Sequence, residues 1–100
     1  MTHQFTIDEN PQGMLAIVGE LTRKSIIGKQ QSVYEDILAK YQQGIDLSKL
    51  NKIDTAGLAW LLSLYQCALQ KQITINYSQA PSELVKLATL SRVNELLALS

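Results

Sequence analysis

The segment DLSKLNKIDTAGLAWLLSL spans Asp46 to Leu64. It begins inside Gly44 to Ser48, GIDLS, where Ile45 and Leu47 share one face of a short strand and Asp46 takes the other. Lys49 to Lys52 reads as a polar turn. From about Thr55 to Lys71 the apolar residues recur at helical spacing, so a helix follows the turn. The first N–H groups of a helix lack partners, and Asp54 and Thr55 stand where cap and first-turn residues satisfy them. A strand and a helix that leads to another strand form a crossover, so the two strands lie parallel with a right-handed connection.

The flanking sequence completes the pattern. Gln4 to Glu9, QFTIDE, alternates Phe5 and Ile7 with polar neighbours, and Asn10, Pro11 and Gly13 supply turn chemistry. Met14 to Leu21 is apolar and closes an amino-terminal hairpin. Thr22 or Ser25 caps a helix that carries Ile26, Ile27, Val33, Tyr34, Ile37, Leu38 and Tyr41 and ends at Gly44. Gln72 to Tyr77, QITINY, alternates as a strand, and Pro81 and Ser82 open a last helix with Leu84, Val85, Leu87, Ala88 and Leu90. The end, RVNELLALS, reads equally as a short helix or a docked tail. The expected architecture is α/β: a small mixed four-stranded sheet, hairpin first and parallel crossovers after it, packed with three to four helices. One domain over residues 1–100 is expected, because the chain has no linker, repeat or low-complexity segment.

Composition excludes several functions. Nine Lys and Arg balance nine Asp and Glu, and no like-charged run exceeds two residues, unlike a nucleic-acid footprint. The longest apolar stretch, Leu58 to Leu64, is interrupted by Ser63 and is too short to span a bilayer, so no direct membrane insertion is expected. The amino end has no secretory pattern, and the lone Cys67 fits a reducing cytoplasm. His3 is the only histidine, so no metal site and no Cys–His nucleophile is expected. Asp46 and Asp54 read as a strand position and a turn residue rather than a catalytic carboxylate pair. There is no phosphate-loop motif, and neither catalytic residues nor cofactors are expected.

The helix after Asp54 has more apolar surface than a sheet-facing stripe needs. Leu58, Leu61, Leu62, Tyr65 and Leu69 can face the sheet, whereas Trp60 and Leu64, four apart, fall outside that stripe beside Ala56, Ser63 and Cys67. An exposed apolar patch with a Trp is expected there, as at the centre of a protein interface. The patch offers Ala56, Trp60, Ser63 and Leu64 as candidate partner-binding residues.

The element order, with GEL at Gly19 to Leu21, IDLS at Ile45 to Ser48 and IDTAGLAWLL at Ile53 to Leu62, resembles the STAS domain family over nearly the whole chain. Within that family it is most similar to the MlaB-type subunits of bacterial phospholipid ABC transporters, which look like Asp-Thr-small-Gly at the residues corresponding to Asp54 to Gly57. Phosphorylation-switched anti-sigma-factor antagonists of the same family carry their acceptor two residues after the Asp. This chain has Ala56 there, and Thr22 where the family often has an acid. The resemblance implies a non-enzymatic cytoplasmic subunit that binds the transporter's ATPase (MlaF-like). Through that partner it would associate peripherally with the inner-membrane permease and support outer-membrane lipid asymmetry. The resemblance adds Asp54, Thr55 and Gly57 to the candidate partner-binding residues beside Ala56, with Thr55 as the sensitive hydroxyl. The alternative it implies is a phosphorylation-controlled antagonist that sequesters a kinase, and a nucleotide-binding enzyme is a third reading.

Overall fold

The computed structural model describes residues 4–9, 11, 13–26 and 32–93. Strands β1 (Phe5–Glu9) and β2 (Leu15–Leu21) form the antiparallel hairpin, with Phe5 opposite Gly19 and Glu9 opposite Leu15. Along the other edge of β2 run two short parallel strands. β3 (Ile45–Asp46) pairs with Leu15 and Ala16, and β4 (Leu50–Ile53) pairs with Gly19 to Leu21. β5 (Tyr77–Ser78) lies parallel to β3. The helices are α1 (Arg23–Ile26), α2 (Ser32–Lys40), α3 (Thr55–Gln70) and α4 (Ser82–Leu90), and α3 touches each of the other three. The expected mixed sheet and α/β class are present, with a fifth strand.

That strand, β4, replaces most of the polar turn expected at Lys49 to Lys52. The Asp46 carboxylate accepts the Ser48 N–H at 2.8 Å, and Leu50 N donates to Leu47 O at 3.2 Å, so the chain turns after two paired residues. It then rejoins β2, where the Gly19 N–H donates to Lys49 O at 3.1 Å. The ladder shifts register between Gly19 and Glu20, and Gly19 makes this irregularity with φ +113°. A Cβ there would meet Gln4 O at 2.6 Å.

Of the strand expected over Gln72 to Tyr77 only Tyr77 joins the ladder, and Ser78 extends it by one residue. Gln72 is left-handed, φ 64°, because α3 ends in a Schellman arrangement: Gln72 N donates to Leu69 O and Ile73 N to Ala68 O, both at 2.9 Å. α4 ends the same way through Arg92, φ 59°, with Val93 N donating to Ala88 O. The single helix expected after Thr22 is described as α1 and α2; Ile27 lies outside the described residues, as do His3, Asn10 and residues 94–100 of the tail.

The expected exposed patch on α3 is corrected by the packing. Trp60 is 6% exposed and Leu64 is fully buried, whereas Leu69, expected to face the sheet, is 46% exposed. The Trp60 indole meets the Phe5 ring edge-on, centroids 5.2 Å apart, and the tilted Tyr34 ring at 5.3 Å. β1 and α2 therefore cover Trp60 from two sides. The buried stripe is Gly57, Leu58, Trp60, Leu61, Leu64 and Ala68, and the helix is rotated about its axis relative to the stripe read from hydrophobicity alone.

Truncating such a side chain typically costs about 3–5 kcal/mol, so Trp60→Ala is expected to lower unfolding stability by that amount. Urea titration followed by circular dichroism measures it, and a loss near zero would contradict the packing. Tyr77 generates a second expectation. Its hydroxyl donates to Leu61 O at 2.8 Å, and burial, helped by the neighbouring tyrosines, holds the phenol well above its ordinary value of 10.0. A folded-state value raised above the unfolded one gives stability that is full below the unfolded value and is lost as pH climbs through and beyond it. Stability should therefore fall above about pH 10. Tyr77→Phe should cost about 1 kcal/mol at neutral pH and make that alkaline decline shallower. Urea titrations at neutral and alkaline pH compare the two proteins.

Candidate docking site at two helix starts

The connection between β4 and α3 is built on Asp54. It sits in extended conformation, φ −133° and ψ −173°, as the N-cap of α3. One carboxylate oxygen, Oδ1, accepts the Gly57 N–H at 2.9 Å, and the other, Oδ2, accepts the Arg23 N–H at 3.0 Å. A single side chain thus satisfies an orphan donor of each of two helices, and its bond to Arg23 spans 31 residues of sequence.

The start of α1 is closed by a second set of bonds. Thr22 N donates to Ser25 Oγ at 2.9 Å, and Ser25 Oγ donates to Thr22 O at 3.0 Å. The Thr22 hydroxyl donates to the Glu20 carboxylate. Both hydroxyl residues are buried, so these bonds are what makes their burial tolerable. Sequence reading offered Thr22 or Ser25 as a cap; Ser25 supplies the hydroxyl that holds the Thr22 backbone, and the Thr22 hydroxyl is spent on Glu20.

Gly57 brings the two starts into contact. A Cβ on it would lie 2.0 Å from Leu21 O and 2.9 Å from Leu21 C, both backbone atoms at the end of β2. No side-chain adjustment relieves such an overlap, so only Gly allows α3 to approach here.

On the outside, Thr55 is exposed and Ala56 half-buried, followed by exposed Ala59 and Ser63 along the same side of α3. Ser63 shares a hydrogen bond with Tyr34, whose phenol burial raises above its ordinary 10.0, with that bond opposing the shift and Cys67 adding slightly to it. Of the sequence-derived candidates, Asp54, Thr55, Ala56 and Gly57 come together at the helix start, and Ser63 lies two turns further along its accessible side. Trp60 and Leu64 lie in the core and offer no outward contact. Arg23 and Lys24, which the spacing argument did not select, stand exposed beside this group; only the capping signal at Thr22 and Ser25 marked their position.

The chemistry available is limited. Asp46 and Asp54 are each engaged by backbone N–H groups, and Asp54 has both oxygens occupied. Among the described residues no three His, Cys, Asp or Glu side chains are grouped to hold a metal, and no helix is long and apolar enough to cross a membrane. What the site presents is a rigidly capped helix start with a small hydroxyl outward.

This mixed-sheet fold and its capped strand-to-helix joint coincide with a family match. The chain matches the family model described as Mlab, STAS domain, over residues 5–98, nearly its full length, and it belongs to the STAS domain family, of the MlaB-like type. Comparison with curated proteins gives no match.

Asp54 variants separate its two bonds. Asp54→Ala removes both acceptors and should cost about 2–3 kcal/mol. Asp54→Asn keeps a good cap and should cost about 1 kcal/mol, chiefly from the lost tie to α1. Gly57→Ala, which in an open helix would stabilise by about 1 kcal/mol, should here destabilise by several. Urea titration ranks all three; an Asp54→Asn protein as stable as the parent would remove the α1 tie from the energetics.

Proposed function

We propose that this chain is a non-enzymatic STAS subunit that docks on the ATPase of an ABC-type phospholipid transporter and supports its assembly or activity. It thereby contributes to outer-membrane lipid asymmetry. The chain works in the cytoplasm and reaches the inner membrane through its partner.

The observation that carries this reading is the exposed Thr55 hydroxyl on a helix start whose backbone is fixed by Asp54 and Gly57. Such a surface is pre-organised, so a partner meets it without an ordering cost. The MlaB-like family match supports the class of partner. The antagonist reading has less support, because the residue two after Asp54 is Ala56, which has no hydroxyl and is half-buried.

Tagging the chain at its native locus and identifying what co-purifies from gently solubilised membranes tests the proposal. An ABC ATPase with its permease is expected. A soluble kinase without transporter components, together with a phosphorylated fraction at Thr55 by intact mass, would replace this reading with the antagonist one. Thr55→Val keeps the side-chain shape and should leave the melting temperature nearly unchanged while reducing the recovered ATPase. Full recovery with this variant would remove Thr55 from the docking surface.

A further inference from the structure

We draw no further inference here: the strongest candidate, the apolar groove on the outer side of α4 lined among the described residues by Val85, Lys86, Thr89 and Leu90, carries nothing because nothing in the structure shows what covers it.

Discussion

The contact between Gly57 and the Leu21 carbonyl fixes how α3 lies on the sheet. A helix can present any side to a surface, and hydrophobicity alone leaves α3 several choices because apolar residues surround it. The missing Cβ removes that freedom: only the Gly57 side can approach the end of β2 this closely. Once that side is set, Leu61, Leu64 and Ala68 follow it inward at helical spacing, and Trp60 turns toward Phe5 and Tyr34. The outer side is then left to Thr55, Ala59, Ser63 and Gln66.

Asp54 works on the same joint from the other direction. Two helix starts with their orphan N–H groups meet at one place, and a carboxylate has an oxygen for each. A hydroxyl at this position would also cap α3, yet it offers only one oxygen and lacks the charge that strengthens bonds to N–H donors. Close packing at Gly57 and the shared cap at Asp54 make the site part of the scaffold. Its outward groups sit on backbone that the core has already fixed.

Much of this fold is legible in the sequence. Alternation found the hairpin, helical spacing found α3 and α4, and the capping residues marked the joint between β4 and α3. The misses have specific causes. β4 carries only Leu50 and Ile53 as buried residues around Asn51 and Lys52, so its apolar pattern is not that of an alternating strand. Gln72 and Arg92 end their helices in the left-handed region without the Gly that announces such an ending. The exposed patch expected around Trp60 failed because a Trp outside the strongest stripe looks like surface until Phe5 and Tyr34, distant in sequence, are brought against it. Arg23 is brought to the α3 cap only by the Asp54 bond, and nothing in its spacing from residue 54 announces it.

β2 is the strand on which the sheet is assembled, with β1 on one side and both β3 and β4 on the other. Its two sides are completed on different schedules. The hairpin closes over a short turn, whereas β3 and β4 reach β2 only after α1 and α2 have intervened, so their pairing carries a larger loop-closure cost. During synthesis the hairpin is therefore available first, and one edge of β2 stays open until residues 45–53 have emerged. In that interval the apolar Leu15 to Leu21 strand is a template for any neighbouring chain. The order of strands thus opens an interval, between hairpin closure and β4 pairing, in which the β2 edge is exposed to misassociation.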